Sequence, residues 1–120
     1  MLIKNTKVKI IDNSGCRRCT IFNLKSKRAH IGVGDICVAS VKKVKNRNKV
    51  QKGDVVTLLV LRTKYPYKRI CGTRIQFIHN EAILINKELS PIGTKIKGPI
   101  PKEIRINKWL KVMSTVRYII

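Results

Sequence analysis

The sequence predicts a mainly β domain with a short helical end. Three observations carry this: alternating apolar and polar residues in early segments, one nearly continuous β-branched run, and an abrupt change to proline and glycine after Leu89. At 120 residues the chain has the length of a single domain. Its 43% apolar composition supplies enough hydrocarbon to offset the entropy of ordering a chain, which excludes a disordered basic tail.

"KVKIID" from Lys7 alternates, and so does "ICVASVKKV" from Ile36, where Cys37, Ala39 and Val41 share a face opposite Val38 and Ser40. "VVTLLVLRT", Val55 to Thr63, has no polar face and reads as a strand buried on both sides or closed into a small barrel. "RIQFI" and "AILIN" flank His79, Asn80 and Glu81, the pattern of two strands joined by a tight turn. "GDICVASV" and "GDVVTLLV" echo each other. Each opens on Gly-Asp, a pair that serves turns, because glycine reaches unusual backbone angles and aspartate bonds nearby backbone. Beyond Leu89, prolines and glycines punctuate very short elements. Ile106, Trp109, Leu110 and Met113 then fall at i, i+3, i+4 and i+7 with Asn107 as N-cap, predicting a terminal helix whose Trp109 anchors it against the β core, with Lys108 and Lys111 off that stripe.

Charge narrows the function. Twenty-seven Lys and Arg against 6 Asp and Glu give a formal +21, a self-repulsion that a polyanion would relieve, and nucleic acid is the polyanion this composition fits. No stretch approaches the roughly 20 apolar residues of a membrane span, so membrane insertion is not expected. The start, "MLIKNTKVKIID", has no apolar core of a secretory signal. The charge is clustered. One group holds Arg17, Arg18, Lys25, Lys27 and Arg28; a second has six Lys or Arg among the eleven residues from Lys42 to Lys52; a third has Arg62, Lys64, Lys68, Arg69 and Arg74 interleaved with Tyr65 and Tyr67 in a hairpin-like arm. Arginine pairs bidentately with phosphate, lysine supplies a point charge and tyrosine stacks on bases, so the set reads as phosphate contacts, with coverage of apolar surface beside Pro66 an alternative for the tyrosines.

Catalysis finds little support: the six acids are isolated, His30 and His79 are the only histidines, and neither a phosphate loop nor a nucleophile elbow is present. "DNSGCRRCTIF" contains a C-x-x-C, Cys16 and Cys19, yet a second pair is missing for zinc and a βαβ setting is missing for redox chemistry. These thiols read as small apolar residues, and neither cofactor nor metal is expected.

The residues that identify the chain look ordinary singly. "DNSG" from Asp12, Arg17 and Arg18, "GVGD", "KGD", "LRTK", "GTRIQF" with Asn80, "PIGTKIKGP" and "KEIR" occur in the order of one family. Over nearly its whole length the chain resembles the universal ribosomal protein L-fourteen family of the large subunit. The signature around Gly72, Phe77, Asn80 and Ile83 to Ile85 has the right spacing, while Leu58 and Cys71 depart from it. The resemblance implies a small five-stranded β-barrel with a projecting β-hairpin and short C-terminal helices. Within a single domain of residues 1–120, the barrel and its basic hairpin near 62–74 would occupy 1–89, and loop and short helices 90–120. It implies a role without catalysis: binding large-subunit rRNA, here through Arg17, Arg18, Lys42, Lys43, Arg62, Lys64, Arg69 and Arg74, contacting neighbouring large-subunit ribosomal proteins, and joining an intersubunit bridge to small-subunit rRNA. Thr94, Lys95 and Lys111 match positions implicated in docking a ribosome silencing factor. Relatives carry small or apolar residues at Cys16 and Cys19, so the C-x-x-C is expected to be accidental spacing inside an RNA-binding loop. A free-standing RNA-binding barrel outside the ribosome is the alternative, and a zinc or redox enzyme a remote third. The abundance of Ile, Lys and Asn, with a start matching the family's, favours an organelle-encoded mitochondrial protein over a bacterial cytoplasmic or plastid one.

Overall fold

Alternation becomes strand wherever one face has a core to enter. The computed structural model describes residues 2–25, 27, 29–45, 50–104 and 109–120. Its strands are β1 (Lys7–Ile10), β2 (Cys16–Leu24), β3 (Ile36–Val44), β4 (Val55–Arg62), β5 (Tyr67–Lys68), β6 (Arg74–Ile75) and β7 (Glu81–Ile85). Antiparallel pairing runs β1–β2–β3–β4–β7. A parallel pairing, Lys9 opposite Glu81 and Ile10 opposite Ala82, closes these five strands into a barrel, which leaves none of them with an open edge. The remaining two, β5 and β6, form a separate two-stranded hairpin.

Two cores explain the apolar runs. Val8, Cys19, Ile21, Cys37, Ala39, Val41, Leu58, Val60, Ala82 and Leu84, drawn alternately from all five strands, fill the barrel. The intervening Leu59, Leu61, Ile83 and Ile85 form the second core with Ile96, Ile100, Ile104, Trp109 and Val112 of the C-terminal segment. β4 and β7 therefore lack a polar face because a second layer covers their outer side.

Both Gly-Asp pairs build the expected turn. Asp35 and Asp54 accept backbone N–H bonds from Gly32 and Gln51, each at 2.9 Å, while Gly34 (φ +87°) and Gly53 (φ +92°) take the left-handed position. A third copy lacks the Gly-Asp signature. At Ile3–Thr6, Asn5 (φ +68°) replaces the glycine and the Thr6 hydroxyl accepts from Ile3 N–H at 3.2 Å.

Three expectations need correction. "RIQFI" is strand only at Arg74–Ile75, and it pairs with β5 rather than β7; Phe77 instead donates its N–H to Thr63 at 3.2 Å. The C-x-x-C segment is not a loop but the start of β2. The terminal helix α1 is a single turn, Leu110–Met113, with Trp109 at its N-cap, and that phasing leaves Leu110 62% exposed while Trp109 and Val112 are buried. Ile106, Asn107 and Lys108 lie outside the described residues, as do Arg28, Arg47 and Lys49 of the basic clusters and Arg105 of "KEIR". Among the described residues no helix is long and apolar enough to cross a membrane.

Candidate nucleic-acid interface

In a regular strand, residues three apart point to opposite faces. β2 departs from this. Its register against β3 shifts between Cys16, Arg18 and Cys19, which pair with Val44, Lys43 and Val41. The irregularity turns Cys16 and Cys19 both inward, their Sγ atoms 3.3 Å apart, and turns Arg17 and Arg18 both outward. Two neighbouring guanidinium groups thus leave one face of the barrel together, a presentation that bulges permit and regular strands forbid.

Those arginines stand where three grooves adjoin. One is lined by Lys9, Arg17, Arg18, Lys43, Lys45, Arg62 and Lys97, with Asp12 and Glu81 at its acidic side. The second, lined by Lys42, Lys43, Gln51 and Lys52, shares Lys43 with the first. The third, lined by Lys7, Lys9, Arg18, Lys64, His79 and Asn80, shares Lys9 and Arg18. The shared residues make the three a continuous basic track across β1, β2 and β3. Of the expected phosphate contacts, Arg17, Arg18, Lys42, Lys43 and Lys64 lie on it, each exposed. Lys64 is oriented from its backbone, whose N–H donates to the Asn80 side chain at 2.8 Å. Arg74 is exposed on β6, opposite Lys68, in the separate hairpin. Lys45 belongs to the second basic cluster, whereas Lys7, Lys9 and Lys97 belong to none of the three. The alternation of "KVKI" could have placed the first two on the outer face; Lys97 arrives only through tertiary docking.

Two further arginines are already paired. Arg62 Nε lies 2.7 Å from Glu81, its Nη2 donates to the Lys97 carbonyl at 2.7 Å, and its guanidinium stands 6.0 Å from the Phe77 ring centre. Burial pulls its pKa below the ordinary value, and Glu81's charge opposes that. Arg69 donates to both carboxylate oxygens of Glu103 and to the Ile120 carbonyl. Tyr67 donates its hydroxyl to the same carboxylate at 3.1 Å, while Tyr65 is 53% exposed.

The opposite side of the "DNSG" motif organises the C-terminal loop. Asp12, 7% exposed, accepts bonds from the Ser14 N–H and hydroxyl and from the Leu84 N–H. Its neighbour Asn13 accepts from the N–H groups of Thr94 and Lys95 and donates to the Thr94 hydroxyl at 2.7 Å. Lys111 of α1 donates to the Ser90 hydroxyl at 3.1 Å, joining the helix to the same loop. Thr94, Lys95 and Lys111 are each exposed.

Cys37 is buried in β3, and desolvation first, then the charge of Asp35, pushes its pKa up to about 12. Cys71 is exposed between β5 and β6. Among the described residues no cluster of three or more His, Cys, Asp or Glu is placed to hold a metal ion.

A closed five-stranded barrel with a basic track and a docked C-terminal segment is the architecture of a nucleic-acid-binding β domain. The family model of ribosomal protein L14p/L23e matches residues 1–120, and the chain belongs to that family. Its members are structural constituents of the large ribosomal subunit that bind rRNA beside other ribosomal proteins, and they are not enzymes.

Proposed function

We propose that large-subunit rRNA lies along the basic track and is held through its phosphates by Arg17, Arg18, Lys42, Lys43 and Lys64, with Arg74 making a separate contact from the hairpin. Lys7, Lys9, Lys45 and Lys97 extend the same contact. The observation that carries this is the sharing of Lys9, Arg18 and Lys43 between adjoining grooves, which gives a polyanion an unbroken path. Arg62 and Arg69 serve by holding the Lys97 loop and the hairpin, their guanidinium groups being engaged by Glu81 and Glu103. Each phosphate contact releases counterion, so alanine at Arg17, Arg18, Lys43 or Lys64 should reduce the log–log salt slope for a matched rRNA fragment by about 0.7 to 0.9. Unchanged slopes at all four would show that the track is only a solvated face.

The surface bearing Thr94, Lys95 and Lys111 faces the small subunit in this reading, takes part in a bridge to its rRNA and receives the silencing factor. Its support is the family resemblance together with the joining of the loop and α1 through Ser90 and Lys111. Lys95→Glu/Lys111→Glu should leave incorporation into large subunits intact, because exposed charge changes shift stability by less than about 0.5 kcal/mol. Like charge at the interface should slow subunit joining or weaken factor binding. A double variant that joins and binds at wild-type rates would overturn this assignment. The ribosome is mitochondrial in this reading, on the Ile, Lys and Asn usage; peptides of this chain in purified mitochondrial large subunits, and not in plastid or bacterial ones, are the expected finding.

A further inference from the structure

The irregularity in β2 does more than aim two arginines. It brings two thiols together under them, and nothing in rRNA binding uses those thiols. Cys16 and Cys19 have their sulfurs 3.3 Å apart, and closing that gap to a disulfide bond of about 2.05 Å requires a shift of only roughly 1.3 Å. Cys19 is fully buried, whereas Cys16, 4% exposed, lines the groove with Arg17, Arg18, Lys43 and Lys45, so Cys16 is the thiol that a small reagent would reach first.

We propose that Cys16 and Cys19 form a dithiol that a hydroperoxide converts to an intra-strand disulfide beneath the basic track. The order of events follows from position. Cys16, on the groove, attacks the peroxide oxygen, the O–O bond breaks, and Cys16 becomes a sulfenic acid as the peroxide leaves as hydroxide or alkoxide. Cys19, already in contact, attacks the sulfenic sulfur; the S–S bond forms, the S–O bond breaks, and water leaves with the Cys19 proton. Two thiols are oxidised and one peroxide is reduced. The Cys19 hydrogen bond favours a thiolate at Cys16, against its burial and the nearby Asp12 carboxylate, and it holds the proton on Cys19, the division of labour this sequence needs.

The test uses the full chain carrying Cys71→Ser, which removes the exposed thiol and with it intermolecular crosslinks. After exposure to hydrogen peroxide, thiol alkylation and peptide mass analysis should find Cys16 and Cys19 joined with the loss of two hydrogens, Cys37 still alkylatable on unfolding, and full reversal by dithiothreitol. Adding Cys37→Ser should leave the crosslink unchanged. Recovery of Cys16 and Cys19 as free thiols from folded, peroxide-treated protein would overturn the proposal. So would oxidation of Cys16 to sulfinic acid without a crosslink, since it would show that Cys19 does not resolve the sulfenic acid.

Discussion

Arg69 and Glu103 form a two-point pair: Nε lies 2.5 Å from one carboxylate oxygen and Nη2 lies 3.1 Å from the other. Because Arg69 also donates to the Ile120 carbonyl and Tyr67 donates to Glu103, the hairpin is fastened to the C-terminal segment by one polar knot. Burial pushes the Glu103 carboxyl up, but Arg69, the backbone and Tyr67 together hold its pKa below the ordinary carboxylate value. A depressed acid stabilises the fold above its unfolded pKa of about 4.3 and loses that contribution as pH falls through the folded value. Amide exchange at Arg69 and Gly72, whose N–H groups close the hairpin end, should therefore accelerate below about pH 4 beyond the intrinsic trend. Glu103→Gln should show the faster exchange already at neutral pH.

Tyr67 gives the alkaline counterpart. Its own burial and then the Glu103 charge raise the phenol to about 12. A raised acid contributes stability in full below its unfolded pKa, about 10, and loses it as pH rises through about 12. Absorbance titration should resolve a late phenolate step that disappears in Tyr67→Phe. In Glu103→Gln that step should move only part of the way down, because burial is the larger cause.

Arg62 and Arg17 look alike in sequence and should behave in opposite ways. The Arg62 and Glu81 side chains are 12% and 9% exposed, so Arg62→Ala leaves the Glu81 carboxylate with only the exposed Lys9 ammonium, 4.0 Å away, and should destabilise the protein by about 1.5 to 3 kcal/mol in denaturant unfolding. Arg17→Ala, on the solvent side of β2, should change stability by less than about 0.5 kcal/mol while lowering the salt slope of rRNA binding. Equal stabilities for the two variants would remove the distinction between a positioning arginine and a phosphate-binding one.

That contrast marks what the sequence could convey. β1, β3, β4 and β7 are legible because their apolar residues keep a period of two or are buried on both faces. β2 is not, because its inward residues Cys16, Cys19, Ile21 and Leu24 are spaced three, two and three by three shifts in register. The basic clusters were visible as clusters. Which of their members meet Glu81 and Glu103 depends on strand register and on the path of the C-terminal segment, neither of which local composition encodes. "RIQFI" has strand composition, yet tertiary context spends Phe77 beside Arg62 instead.

Asn5 offers a local test of the third turn. A side chain other than Asn pays more for the left-handed position that Gly34 and Gly53 occupy freely. Asn5→Ala should cost about 1 kcal/mol in denaturant unfolding, and Asn5→Gly should cost less than Asn5→Ala. If Asn5→Ala proved the more stable of the two, the backbone at this turn could not have the positive φ described.

The tightest contact in the C-terminal loop predicts a coupling rather than a simple loss. A Cβ on Gly93 would stand 2.7 Å from the Asn13 side-chain oxygen and 2.9 Å from the Asp12 Cβ. Asp12 has little room to yield, since its carboxylate holds Ser14 and the Leu84 N–H inside the fold. Gly93→Ala should therefore destabilise by about 1 to 3 kcal/mol through overpacking and should expose the Thr94 and Lys95 amides to exchange. Asn13→Ala removes the same three hydrogen bonds without a clash, on an exposed side chain, and should cost less. In the double variant the Asn13 oxygen is gone but Asp12 remains, so the combined cost should fall short of the sum of the two single costs by more than about 0.5 kcal/mol. Strict additivity would mean that Gly93 and Asn13 do not touch, and the loop carrying Thr94 and Lys95 would then need another support.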